Sequence, residues 1–328
     1  MPFPTFKLLA KTITYIFRIP SLKLTPMKAR SFIRKFPIIS FVLLTFFISH
    51  VLNPFIVELL HILFPSFSFD FPQGKLNERS LINQYGGTIA ALTITILLYD
   101  TSGLQSTIRF SRINAQTVPW LSVSVLLPLF MVLLSYSLAG VPVATLLITL
   151  GVNWPFYLLI IGGFIISAGL AEEFGWRGFL LPQLLKTLSP LPATLVTFVI
   201  VSLWHFPALL SGWKGEPILP WVVLSLAIAV VHSWLFFKSK ANLIVQILFH
   251  ACFDAEYSFY SHFITDDHVP NTPFHQGWTY IISYCALALV IIVATKGCLG
   301  YDRFKLNLDK YFGEKKQRGT TAILQPRN

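Results

Sequence analysis

Apolar residues in this chain come in runs of about 18 to 25, the length that crosses roughly 30 Å of hydrocarbon at 1.5 Å per helical residue. They fall at 38–63, 81–99, 119–140, 154–172, 190–210, 220–237, 241–260 and 277–298. The pattern predicts an all-α, polytopic transmembrane bundle of about eight helices, packed helix on helix inside lipid. Composition agrees: 54% of the 328 residues are hydrophobic and 12% charged, where a soluble domain carries about a quarter of its residues as charges. Pro54 sits inside the first run and predicts a kink or tilt there. The apolar stretch 141–153 is short and broken by Gly, Asn and Pro, and reads as re-entrant rather than as a further crossing.

The charges lie outside the runs. A net charge of +11 suits nucleic acid in principle, but no aromatic-rich nucleic-acid motif accompanies the basic residues. They flank the apolar runs, which points to anionic headgroups and to loops retained in the cytoplasm. With both termini cytoplasmic, the inner side gathers most of the Lys and Arg, and the outer side keeps Lys75, Arg79 and Lys214. The acidic loop 261–276, with Asp266 and Asp267, also falls outside.

Residues 1–36 scatter Lys7, Lys11, Arg18, Lys23, Lys28, Arg30, Arg34 and Lys35 among Phe, Leu and Ile. That is an amphipathic, surface-lying pattern and not a secretory signal. The chain divides into this basic segment, one integral membrane domain over 37–299 and a basic tail over 300–328. Cys252, Cys285 and Cys298 form neither a closed disulfide set nor a thiolate metal site and read as apolar filler.

Ionisable side chains inside a span cost at least about 2.5–3.5 kcal/mol each at its centre, so they are functional candidates. In "AEEFGWRGF", Glu173 and Arg177 stand four apart and are placed to pair on a helix. Glu172 then points about 100° away without a local partner. An unpaired carboxylate in a low dielectric is poised to exchange protons. Gly175 and Gly178 allow close approach of neighbouring helices. The fifth span carries His205, and the seventh carries His250 and Asp254 four apart on one face. The His–Asp pair suits metal coordination, proton relay or oxyanion stabilisation. The plainer alternatives are a buried ion network at 172–177 and interhelical hydrogen bonds for the histidines. His50, Glu58 and His61 read as interhelical or headgroup contacts, His232 as a plain interhelical contact with approach to the site as the alternative, Trp204 as packing, and Glu256 with Tyr257 as a cavity rim. Neither HExxH nor GxSxG is present.

Together these motifs resemble the CAAX protease and bacteriocin-processing (CPBP, or Abi) family of intramembrane peptidases. Its pattern is EExxxR, FxxxH, then HxxxN or HxxxD, on separate helices. Here it is matched by Glu172-Glu173-Arg177, His205, and His250 with Asp254, within residues 155–258. Val201 replaces the Phe of the second motif. The resemblance implies an endopeptidase in a bacterial cell membrane, cutting near the end of a prenylated or otherwise membrane-delivered peptide. In it Glu172 and His205 activate water, His250 and Asp254 stabilise the oxyanion, and Glu173 and Arg177 support the site. An Asp at 254 needs a proton, a water or His250 in between to meet an oxyanion. No cofactor is expected, although the same Glu, His and Asp residues are also zinc-type ligands. The expected partners are the peptide and the bilayer, with no nucleic acid. The family also holds immunity proteins, so a non-catalytic binding or scaffold protein is the competing function. A proton-coupled transporter ranks below both, since no inverted repeat is visible.

One tension accompanies these spans. They put Glu172 near the cytoplasmic end of one helix and His205 near the outer end of the next, unless the fourth helix runs on past 172.

Overall fold

The computed structural model describes residues 26–64, 83–211, 218–264, 277–301 and 308–312. Helices are the only regular structure among them. Inside lipid this is what the backbone demands, because a helix satisfies its amides within its own segment. The helices are α1 (Pro26–Lys35), α2 (Pro37–Leu63), α3 (Gly86–Phe110), α4 (Val118–Leu138) and α5 (Val143–Leu184), followed by α6 (Pro190–Leu210), α7 (Ile218–Lys238), α8 (Leu243–Phe263), α9 (Gly277–Ala294) and the short α10 (Leu308–Tyr311).

Six of them, α2 to α7, are long and apolar enough to cross a membrane. With α8 (21 residues) and α9 (18 residues), they give the eight long helices expected. Large apolar side chains such as Leu43, Phe55, Phe130, Val152 and Leu210 lie exposed on the outer faces, where lipid replaces water.

The fourth run departs from its expected bounds. Residues 143–152 form a helical piece set off by a kink, and past it the helix continues to Leu184. At 1.5 Å per residue α5 is about 63 Å long, twice the hydrocarbon thickness. A break accommodates the excess: Asn153 leaves helical geometry (φ −110°, ψ 18°), two residues before Pro155. Glu172 therefore lies well inside a helix rather than at a span end, as the alternative of a longer fourth helix requires.

Three wide, π-helical turns interrupt the long helices: Phe47–Leu52 in α2, and Ile165–Gly169 and Trp176–Leu180 in α5. The first precedes Pro54, at the expected irregularity of the first span. Such turns cost hydrogen-bond geometry and recur at functional sites.

At the centre, α8 packs against α4, α5 and α7. Its start is fixed by Asn242, whose side chain accepts from the Ile244 and Val245 amides (3.0 and 3.3 Å) and donates to the Arg112 carbonyl (3.0 Å). Ser124 of α4 donates to the Val245 carbonyl, 2.9 Å away. Small residues set the closest crossings. A Cβ at Gly175 would lie 2.8 Å from the Gly87 backbone of α3, and one at Gly169 2.7 Å from the Ile247 carbonyl oxygen of α8.

Candidate active site

The carboxylate pair sits on a six-residue stretch of α5, Leu170–Gly175, bracketed by that helix's two wide turns. Glu172 and Glu173 are both buried, as is Arg177. Each glutamate has a partner four residues on. Arg177 donates from Nη1 to Glu173 Oε1 at 2.9 Å, and the Trp176 indole N–H donates to Glu172 Oε2 at 3.1 Å. Glu172 is therefore not without a local partner: the wide turn that begins at Trp176 still leaves its indole within reach of the carboxylate.

Glu173 is the hub. Its Oε1 also accepts from His250 Nδ1 of α8 at 2.7 Å, while Oε2 lies 4.0 Å from His232 Nδ1 of α7 and has no hydrogen-bond partner. A carboxylate holding a guanidinium and an imidazole N–H is committed to structure, because removing its charge would strand Arg177 in a dry interior. The bond also fixes the His250 ring. With Nδ1–H donating to Glu173, Nε2 turns toward Asp254, 3.7 Å from Oδ2. That distance exceeds a direct hydrogen bond and falls in the range of an ion-pair contact. Glu172 lies within electrostatic reach of His250 and Asp254. Residues from α5 and α8 thus converge as the sequence pattern requires.

His205 is linked to this cluster through aromatic rings, and its own ring also packs on Trp221 of α7 at 5.1 Å. Its ring stands edge-on to Trp204 at 4.6 Å, Trp204 stands edge-on to Trp176 at 5.6 Å, and Trp176 holds Glu172. His205 Nδ1 lies 2.9 Å from the Val201 carbonyl, which can only accept, so Nδ1 carries the proton and Nε2 is the basic nitrogen. Val201 contributes its backbone here, so the missing Phe leaves this bond intact.

Two contributors, Gln246 and Trp176, were not singled out by the sequence patterns. His232, read as a plain interhelical contact with approach to the site as the alternative, is fully buried beside Glu173, with its ring 5.5 Å from that of His250. Gln246, one turn before His250, meets His232 Nδ1 at 3.1 Å; with its amide turned over, it also bridges the His232 carbonyl and the Phe236 amide. Trp176 had no signal beyond its spacing from Glu172. Glu256 does not form a rim. It is fully buried and accepts from the Tyr157 hydroxyl at 3.0 Å. The Tyr257 side chain lies outside the described residues, as do residues 1–25 and the loop from 265 to 276.

Glu173, His232 and His250 bring three ligand-type atoms within 4.8 Å of one another. The set fits a cation poorly. Arg177 already places a positive charge on the same carboxylate, and His250 Nδ1 donates to it. Glu172, His205 and Asp254 are not part of that group.

Residues 152–255 match the family model described as type II CAAX prenyl endopeptidase, Rce1-like. A protein of Methanococcus maripaludis named CAAX prenyl protease 2 is 28% identical over 98 residues, which is 26% of this chain and 35% of the relative. The chain thus spans about a third of that curated relative's length. The matched segment contains the Glu172–Arg177 stretch, His205, His232, His250 and Asp254.

Proposed function

We infer, from the match of residues 152–255 to the Rce1-like CAAX endopeptidase model, that this membrane protein is an intramembrane endopeptidase acting near the end of a membrane-delivered peptide. The observation that carries the reading is the division of labour between adjacent carboxylates. Glu173 is tied to Arg177 and His250, whereas Glu172 holds a single indole N–H and faces the same polar cluster.

In this reading Glu172 is the general base. It takes a proton from a water held between it and His205 Nε2, and the resulting hydroxide attacks the scissile carbonyl. As the C–O bond forms, the carbonyl electrons move onto oxygen. His250, carrying a proton on both ring nitrogens, meets that negative charge through Nε2–H, with Asp254 beside it or bridged by water. Glu172 then returns the proton to the leaving amine as the C–N bond breaks. Glu173 and Arg177 hold the His250 ring, and groups of this kind typically contribute 10–100-fold through the ligands they orient. The chemistry proceeds without a metal, in keeping with the guanidinium on Glu173.

The test is cleavage of a prenylated peptide and its unprenylated counterpart by the purified chain in nanodiscs, with His205→Asn alongside. The expected result is hydrolysis of at least one peptide, lowered on the order of 100-fold by the substitution and unchanged by prior chelation. Hydrolysis abolished by chelation and restored by zinc would overturn the metal-free mechanism. An intact peptide, with binding retained in wild type and His205→Asn alike, would favour the non-catalytic binding protein of the same fold.

A further inference from the structure

The short α10 lies far from the matched segment in sequence, yet it docks beside the helix that carries the carboxylate pair. Tyr311 and the following Phe312 are fully buried. The Tyr311 ring packs on Phe110 of α3 at 5.2 Å, and the Phe312 ring stacks on Tyr99 of the same helix at 5.0 Å. Lys186, just past the end of α5, places its ammonium 4.7 Å over the Phe312 ring.

The Tyr311 hydroxyl donates to the Gly178 carbonyl at 3.0 Å, inside the wide turn Trp176–Leu180. The sequence supplies the reason. In an α-helix that carbonyl accepts from the amide four residues on, but residue 182 is proline, which has no N–H. A buried carbonyl needs a donor, and the phenol brings one from outside the helix. The same turn begins at Trp176, whose indole N–H holds Glu172 at 3.1 Å. A second path runs through rings. Phe312 stands edge-on to Phe179 at 6.2 Å, Phe179 lies 5.2 Å from Phe41 of α2, and Phe41 stands edge-on to Trp176 at 5.7 Å. Both paths end on Trp176, and neither includes a residue of the polar cluster.

We propose that Tyr311, with Phe312 beside it, is a positioning residue for Trp176: it fixes the wide turn that aims the indole N–H at Glu172. The inference rests on the peptidase reading, in which Glu172 takes the proton from water, and adds to it a residue from outside residues 152–255. With the turn loosened, the Glu172 carboxylate leaves its line to the water. The chemical step then slows, because small misplacements of reacting groups are costly, while the peptide is bound as before.

The experiment uses the full chain in nanodiscs and measures the single-turnover cleavage rate, the peptide Kd and thermal unfolding. Wild type is compared with Tyr311→Phe, Trp176→Phe and the double variant. Tyr311→Phe keeps the ring and loses only the hydroxyl. Its cleavage rate is expected to fall on the order of tenfold, with Kd within about twofold of wild type. In the Trp176→Phe background, which has no indole N–H to aim, the same substitution should change the rate less than about twofold. Phe312→Leu, which keeps the hydroxyl and thins the ring path, provides the same comparison should Tyr311→Phe not fold. A wild type that cleaves, with Tyr311→Phe cleaving within about twofold of it, would overturn the positioning role and leave the peptidase standing. So would losses from Tyr311→Phe and Trp176→Phe that multiply in the double variant, or a lowered unfolding temperature with the rate unchanged, which marks packing alone. Absence of cleavage by wild type would remove the peptidase reading and this role with it.

Discussion

Glu172 and Glu173 are neighbours with opposite commitments, and the difference lies in what stands four residues further along. Arg177 neutralises Glu173 at 2.9 Å in a buried position. Breaking a buried pair from one side strands the other charge, at a cost of about 3–5 kcal/mol. Glu173→Ala and Arg177→Ala should therefore both unfold at lower temperature in detergent. A double variant, Glu173→Leu with Arg177→Met, should regain most of that stability, because an apolar pair of similar volume removes both desolvation costs. It should remain inactive, since His250 loses the acceptor that orients its ring. Thermal unfolding and peptide cleavage on the same preparations check both halves, and recovered activity in the double variant would contradict the orienting role of Glu173.

The helices were legible from apolar run length, since lipid permits little else. What run length could not show was how far α5 continues, because polar residues at 172–177 end an apolar window without ending a helix. The wide turns left no pattern to read: a π turn adds a residue to a turn without demanding a particular residue type. His232 was legible only as a histidine with two readings, since its meaning comes from Gln246 and Glu173 on other helices. By contrast, the i,i+4 spacings of Glu173 with Arg177 and of His250 with Asp254 were readable, because helical geometry alone brings them together. Close helix crossings yield a prediction at this scale. With a Cβ 2.8 Å from the Gly87 backbone, Gly175→Ala must push α3 and α5 apart. Overpacking of this sort costs about 1–3 kcal/mol. The unfolding temperature should fall and peptide cleavage with it, whereas Gly162→Ala, which meets nothing within 4 Å, should change neither.

For the molecule as a whole, we propose an orientation from charge bias, with Lys238 and Lys240 on the cytoplasmic side and Asp266 and Asp267 outside. In a background with the three native cysteines replaced, Lys240→Cys and Asp267→Cys should react with an impermeant thiol reagent from opposite faces of the membrane. Labelling from the same face would break the alternation of spans on which the orientation rests. The whole also matters for chemistry, because the polar groups of the site come from α5, α7 and α8, with His205 of α6 and His50 of α2 linked to them through the ring of Trp204. Residues far apart in the chain have to be held together by the bundle for any of them to act on a peptide bond.

The most direct measurement is single-turnover hydrolysis of a bound peptide by the purified chain, comparing wild type with Glu172→Gln and measuring peptide affinity for both. Glutamine keeps the size of the side chain and can still accept from Trp176, but it cannot take a proton from water. The rate of bond cleavage should fall on the order of 100-fold or more while the peptide Kd stays within about threefold. A Glu172→Gln chain that binds and cleaves at a rate within a few-fold of wild type would contradict the assignment of water activation to this carboxylate.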